Sequence, residues 1–218
     1  METLDTASLS AAEEIVVVCD GKDDTAKLAR QWASLHPRLK VVVYQAYFRL
    51  GKGGAFKEGV KRTKGDQIFL VDADFPVLTG FVKYFSNILD MTDLACLTGS
   101  RYSAGSIYHN QAFGRKILSG GYRRLANWLF KLDVRDFQCG FKAFKREPLL
   151  KVLPDLKCEG FAFDVELLLR LQKAYYIVAE CPVEYYHKKG SKVRWRQVFG
   201  MLWELLQIRH DLKTSSKF

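Results

Sequence analysis

Gln67-Ile68-Phe69-Leu70-Val71-Asp72-Ala73-Asp74 is the stretch on which the fold turns. Ile68 to Val71 is apolar throughout, as a strand buried on both faces is, and the run stops at two carboxylates spaced i and i+2. Two acids just past a buried strand can share a divalent cation and the diphosphate it bridges. Magnesium keeps few protein ligands and fills its octahedron with phosphate oxygens and water. Asp is also favoured in turns, so the triplet taken alone fits a plain turn equally well. Other strand ends decide between the two.

Those ends are also polar. Ile15 to Cys19 is an apolar run that leads into Asp20-Gly21, and Leu94 to Leu97 leads into Gly99-Ser100-Arg101. Helical stretches separate the runs. Asp23 to Leu35 carries an apolar stripe of Leu28, Trp32 and Leu35, widened by Ala29; Gly51 to Lys61 is glycine-led; Leu78 to Leu89 follows the triplet. With Val41 to Tyr44 as a further strand, the order β-α-β-α-β predicts an α/β fold, an open and mostly parallel sheet flanked by helices. Ligands of such sheets bind outside the carboxyl ends of the strands. Three polar strand ends therefore mark one candidate site.

The second half reads differently. Gln111 to Lys131 is a basic helical stretch with Arg115, Lys116, Arg123 and Arg124, and Asp136 to Lys145 is aromatic-rich and extended in part. Phe163 to Lys173 is a helix, Tyr176 to Tyr186 a strand pair or one strand broken by Pro182, and Val193 to Arg209 a helical tail. With no repeat and no Pro/Ser-rich linker, residues 1–218 read as a single domain.

The bulk numbers bound what this domain can be. The 218 residues are 48% hydrophobic and 27% charged, a globular composition with enough chain for a sizeable core. The formal charge of +10 favours polyanionic partners: nucleic acid, an anionic membrane surface or phosphorylated substrates. Nucleic acid is disfavoured, because the aromatics follow apolar patterns rather than alternating with basic residues. Five scattered cysteines, none in a C-x-x-C pair, suit a reducing cytosol. The opening residues lack the basic flank and apolar core of a signal peptide, and no apolar run approaches the ~20 residues of a membrane span.

Smaller motifs add detail. Gly51-Lys52-Gly53-Gly54 opens a helix, where bare backbone and a helix N-terminus accommodate phosphate; a plain tight turn explains it as well. It is neither a P-loop nor a dinucleotide fingerprint. Arg115 and Ser119 stand four apart on one helical face, and with Arg101 they form a candidate anion cradle, although surface solubility explains any single Arg more simply. Asp164 and Glu166, two apart, do not share a helical face and cannot both line one pocket unless they sit at its first turn; capping explains Asp164 equally. His187, in a basic turn, could contact metal or phosphate, although a lone His in such a turn more often does neither. The tail places Trp195, Val198, Phe199, Leu202, Leu205 and Leu206 at helical spacing, widened by Met201 and Trp203 and flanked by Arg194, Arg196 and Arg209. Core packing or a membrane interface would each suit such a helix.

Taken in order, these pieces resemble the inverting family 2 glycosyltransferases of the GT-A fold, and more narrowly the polyprenyl (dolichyl) phosphate sugar synthases. The resemblance runs from about Glu14 to His210. It is carried by Ile15–Gly21, Gly51–Ala55, Val71–Asp74, Gly99–Tyr102, Val134–Lys142 and Phe163–Leu167. Gly190–Val193 and Met201–Arg209 lean towards the glucose branch. It implies transfer of a hexose from a nucleoside diphosphate sugar, UDP-glucose or GDP-mannose, to a polyprenyl phosphate, with Mg2+ or Mn2+ as cofactor. Asp72 and Asp74 would hold metal and diphosphate, and Asp20, Gly21, Lys52 and Gly53 would line the donor site. Arg101, Arg115 and Ser119 would cradle the acceptor phosphate, with Lys192 a late phosphate contact. Catalysis would then rest on Asp72, Asp74, Arg101 and Arg115. A peripheral place on the cytoplasmic face of a membrane follows, with residues 193–210 as an interfacial helix.

Three departures from the family pattern stand out. The pattern's usual first strand and its Pro-x-Tyr-Asn-Glu motif are not found in residues 1–14. Cys19-Asp20 keeps only the second of a usual Asp pair, and Pro76 stands where many mannose synthases have Gln. Two other functions stay open on the sequence: a glycosyltransferase with a soluble acceptor, which predicts that Trp195 and Trp203 are buried, and a non-catalytic membrane-associated scaffold.

Overall fold

A computed structural model describes residues 12–74, 77, 80–109, 113–186 and 195–214, with no description of the side chains at 113–119, 195–198 and 213. Strand β1 (Glu14–Cys19) and β2 (Lys40–Gln45) pair in parallel, Ile15 against Val41 and Cys19 against Gln45. Helix α1 (Thr25–Leu35) connects them as a crossover. Its buried residues are Ala26, Ala29 and Trp32, whereas Leu28 and Leu35 are exposed. The expected stripe is thus rotated: two alanines let the helix lie close on the strands, and the bulkier leucines fall outside.

Helix α2 (Gly51–Val60) and strand β3 (Gln67–Val71) follow, then α3 (Gly80–Met91) and β4 (Leu94–Ser100). Strand β6 (Phe141–Lys145) enters the sheet between β3 and β4, antiparallel to both, and β7 (Ile177–Pro182) adds in parallel to β4. The short strands β5 (Ile107–His109) and β8 (Glu184–Tyr186) pair in parallel elsewhere. Among the described residues three of the five ladders are parallel, in keeping with the expected α/β class, but they fall into three sheets rather than one. The Tyr176–Tyr186 segment is divided: β7 joins the central sheet, β8 joins β5.

Alternation along the central strands builds a core on each sheet face. Ile68, Cys96 and Phe144 face one cluster with Phe56, Phe163, Leu167 and Leu168; Leu97, Phe141 and Ala143 face another with Phe85 and Leu89. The remaining helices are α4 (Phe113–Phe130), α5 (Arg146–Val152), α6 (Phe163–Lys173) and α7 (Trp195–Thr214). Leu205 and Ile208 of α7 are buried in the first cluster. Its residues Phe199, Trp203 and Leu206, spaced four and three apart, are exposed instead.

Candidate active site

Hydrogen bonding carries the β3 ladder one residue beyond the strand, because the Asp72 N–H donates to the Gly140 carbonyl at 2.8 Å. This fixes Asp72 at the carboxyl edge of the sheet. Its carboxylate lies over Gly140, where a Cβ would come within 2.1 Å of Oδ2. Only a bare Cα leaves that space to the acid.

Lys52, in the first turn of α2, reaches the same place. Its Nζ stands 3.1 Å from Asp72 Oδ1 and 3.2 Å from Asp164 Oδ2. Burial by itself would lower the Lys52 pKa; the charges of Asp164 and then Asp72 outweigh it and hold the ammonium above its usual range. Asp164 sits in the first turn of α6 and is buried, as is its second partner Lys142, whose Nζ donates to Oδ1 at 2.6 Å and to the Cys139 carbonyl at 2.6 Å. Four charged groups (Lys142, Asp164, Lys52, Asp72) therefore form one chain from the core to the sheet edge. Glu166 points elsewhere, accepting the amides of Lys157 and Cys158 and pairing with Arg170, so the two acids do not line one pocket.

Asp20 is turned towards the glycine-led helix. Its Oδ2 accepts the amides of Leu50 and Gly51 at 3.1 and 3.2 Å, satisfying donors that a helix start leaves free. Gly51 adopts φ +70°, a left-handed conformation that suits glycine, and the Gly53 amide donates to the Glu159 carbonyl at 2.8 Å. Asp20, Lys52, Gly53 and Asp72 are thus brought together around the start of α2, with Gly21 beside Asp20.

Arg101 leaves the end of β4 and grips Asp136 with its fork. Nε to Oδ2 and Nη2 to Oδ1 are both 2.7 Å, and the Arg101 amide also donates to Oδ2. Burial opposes its charge, but Asp136 holds the guanidinium well above its ordinary pKa. Two of its five N–H donors go to Asp136. Tyr102 lies 3.9 Å beneath the Arg123 guanidinium, so the basic helix α4 meets the end of β4. Arg115 and Ser119 belong to α4, but their side chains lie outside the description. Pro76, His187 and Lys192 also lie outside the described residues.

No group of three or more His, Cys, Asp or Glu side chains converges as a metal nest among the described residues. The donor set nevertheless fits Mg2+ or Mn2+. Asp72 and Asp74 offer hard carboxylate oxygens, and such ions take remaining ligands from phosphate and water. Lys142, Asp136 and Glu180 were not singled out individually from the sequence. Glu180 accepts the amides of Arg135 and Asp136 and the Ser103 hydroxyl. Lys142 carried a signal, being a lysine within the apolar run Phe141–Phe144.

Comparison with known proteins places this geometry in a family. A model of the glycosyl transferase family 2 matches residues 5–153. Dolichyl-phosphate beta-glucosyltransferase of Dictyostelium discoideum is 34% identical over 194 residues, covering 85% of this chain and 58% of that protein. The Homo sapiens protein of that name is 33% identical over 207 residues, covering 91% and 62%. Glycosyltransferase AglD of Haloferax volcanii is 31% identical, covering 95% of this chain and 33% of its own length. The chain thus spans about six tenths of these dolichyl-phosphate relatives and a third of AglD. Among solved structures, glucosyl-3-phosphoglycerate synthase of Mycobacterium tuberculosis with Mn2+, UDP-glucose and phosphoglyceric acid superposes with TM-score 0.60 at 17% identity, covering 94% of this chain and 82% of that one. Another crystal structure of that enzyme gives 0.65 at 18%, covering 90% and 69%. The α/β architecture is that of these GT-A structures, and the chain belongs to glycosyl transferase family 2.

Proposed function

We propose that this chain, read as one glycosyltransferase domain over residues 1–218, transfers glucose from UDP-glucose to a polyprenyl phosphate with inversion. The observation that carries the reading is Lys52 seated on Asp72, at the junction of the β3 edge and the glycine-led start of α2. A carboxylate for a cation, an ammonium and a helix N-terminus then converge where a nucleoside diphosphate would lie. The glucosyl choice rests on the names of the relatives; GDP-mannose is the competing donor.

Asp72 and Asp74 would hold Mg2+ or Mn2+, which when bound neutralises charge on the departing diphosphate. Lys52 adds a second positive charge beside Asp72, and the positive end of α2 lies on the same side as the leaving group. Arg101 would orient the acceptor phosphate together with Arg115, Ser119 and Lys192. An acceptor phosphate oxygen attacks the anomeric carbon from the side opposite the diphosphate. The old C–O bond breaks with its electron pair leaving on the diphosphate. The nucleophile is already anionic near neutral pH, so orientation replaces a strong general base.

A peripheral place on the cytoplasmic face of a membrane suits that acceptor. Among the described residues no helix is long and apolar enough to cross a membrane, but α7 exposes Phe199, Trp203 and Leu206 on one face. The 62% exposure of Trp203 favours this over a soluble acceptor, for which that side chain should be buried. α4, which packs on α7, exposes Trp128.

The test is direct. The protein is incubated with Mn2+ or Mg2+, radiolabelled UDP-glucose or GDP-mannose, and polyprenyl phosphate. Label should enter the organic phase with UDP-glucose and fall away on chelation. Label from GDP-mannose alone would reverse the choice of donor, and none from either would sink the reading.

A further inference from the structure

The loop that seats the start of α2 is itself held by the C-terminal helix. Glu204, half-buried on α7, accepts the Ala162 amide at 2.8 Å through Oε2. Its other oxygen, Oε1, lies 1.7 Å from where a Cβ on Gly160 would stand, so this approach requires glycine at 160. The beginning of the same loop is tied down separately, by Glu166 accepting the amides of Lys157 and Cys158. Between these two anchors lies Glu159. Its carbonyl accepts the Gly53 amide at 2.8 Å and lies 2.3 Å from the Cβ position of Gly51. The Cys158 carbonyl crowds Gly53 in the same way, at 2.3 Å. Two successive carbonyls of this loop therefore act as the template for the glycine-led turn that carries Lys52.

The contacts form one path: α7 through Glu204, the 158–162 loop, Gly51 and Gly53, then Lys52 on Asp72 and Asp164. A shift of the loop by a few tenths of an ångström would move carbonyls already in van der Waals contact with bare Cα atoms. The turn has no side chains there to absorb it.

We propose that Glu204 is a positioning residue for the donor site, its carboxylate holding residues 158–162 against the start of α2 and thereby setting where Lys52 stands relative to Asp72. The inference rests on the donor lying at that place, as in the function proposed above. The C-terminal helix then has a second role, since the residue next to exposed Trp203 reaches inward to the donor loop. Burial and then the Glu204 charge push the Cys158 thiol up to about 12, in line with that carboxylate lying against the loop.

The test compares Glu204→Ala, Glu204→Gln, Gly160→Ala and the Glu204→Ala/Gly160→Ala double variant in the full chain. UDP affinity in Mn2+ is read by calorimetry, and amide exchange by mass spectrometry. Glu204→Ala should weaken UDP about tenfold, the scale of a typical coupling between sites. Exchange should rise in residues 51–54 and 158–162 while the β1–β2 pair stays at its wild-type level. Glu204→Gln keeps an acceptor for the Ala162 amide and should restore most of the affinity. Gly160→Ala should weaken UDP in the wild type yet add nothing once Glu204 is alanine, because the carboxylate it would displace is gone. Wild-type exchange in both segments of Glu204→Ala would overturn the proposal, as would an undiminished Gly160→Ala effect in the double variant. A wild-type protein that binds no UDP would instead refute the donor reading, and the exchange data would still decide whether Glu204 seats the loop.

Discussion

Lys52 and Asp72 form an ion pair at 3.1 Å although their backbones belong to different elements, the first turn of α2 and the end of β3. One carboxylate thus serves a lysine and, on the proposed function, a divalent cation. Its two oxygens carry enough lone pairs for both. Replacing Lys52 with Met should lower kcat/KM for the nucleotide sugar by about two orders of magnitude, the usual effect of removing one preorganised charge from a transition state. Mn2+ binding without nucleotide should strengthen in the same variant, because the competing ammonium has gone. Electron paramagnetic resonance of free Mn2+ would read this. Equal losses in both quantities would mean that Lys52 merely supports the fold.

Arg101 and Asp136 make the second prediction. Arg101→Lys keeps the charge but not the fork, and a lysine cannot satisfy both Asp136 oxygens while serving a phosphate. KM for polyprenyl phosphate should rise at least about tenfold, with donor KM nearly unchanged. Asp136→Ala should act differently. It leaves the buried Arg101 without its partner, so about 3–5 kcal/mol of stability should be lost in chemical denaturation.

Much of this site was legible because its acids stand at strand ends. Gln67–Val71 and Phe163–Lys173 occur where the apolar pattern placed them, and Asp20 and Asp72 follow from the ends of their runs. Pairing between distant segments was not legible. Nothing local in Phe141–Lys145 says that it enters between β3 and β4 in the opposite direction, since a buried strand has the same pattern either way. Lys142 stood out as a lysine among apolar neighbours, but its partner Asp164 lies on another element 22 residues away. Asp20 illustrates a third limit: a strand-end acid can spend itself on backbone amides, and composition does not reveal which amides are near.

Lys142 and Asp164 are both buried, and their contact is 2.6 Å. Lys142→Met should cost about 3–5 kcal/mol, since Asp164 would keep only Lys52 as a charged partner. The double variant Lys142→Met/Asp164→Leu should recover part of that loss, because no buried charge then lacks compensation at the inner end. It should still show poor donor kinetics, as Lys52 loses the second of its two seats. A double-mutant cycle in urea, with kcat and KM measured alongside, separates stability from catalysis.

Glu14 offers a pH test away from the site. Burial works to raise its pKa, but the Lys40 ammonium at 2.8 Å and the amides of Lys64 and Gly65 outweigh it, lowering the value from 4.5 to about 2. A folded-state pKa below the unfolded one stabilises the fold above the unfolded pKa. That contribution is lost as pH falls from about 4.5 towards 2. Glu14→Gln should therefore be less stable than wild type at pH 7, with the gap narrowing steadily below pH 4.5. A gap independent of pH would show that the side chain acts through packing alone.

The outward face of α7 supplies the last prediction. Phe199 and Trp203 lie one turn apart, 69% and 62% exposed, while Leu205 and Ile208 hold the opposite face in the core. Changing Phe199 and Trp203 together to Ser should leave the melting temperature nearly unchanged, because neither side chain is buried in the fold. On a membrane each ring would be worth roughly 1.5–3 kcal/mol if fully buried, so partitioning onto vesicles containing anionic lipid should fall at least about tenfold. Net charge is untouched by these substitutions, so attraction to the anionic surface should persist at low salt and disappear at high salt. Wild-type partitioning that salt abolishes and the double substitution leaves intact would show that charge alone brings the protein to the membrane. In that case the aromatic face has another occupant.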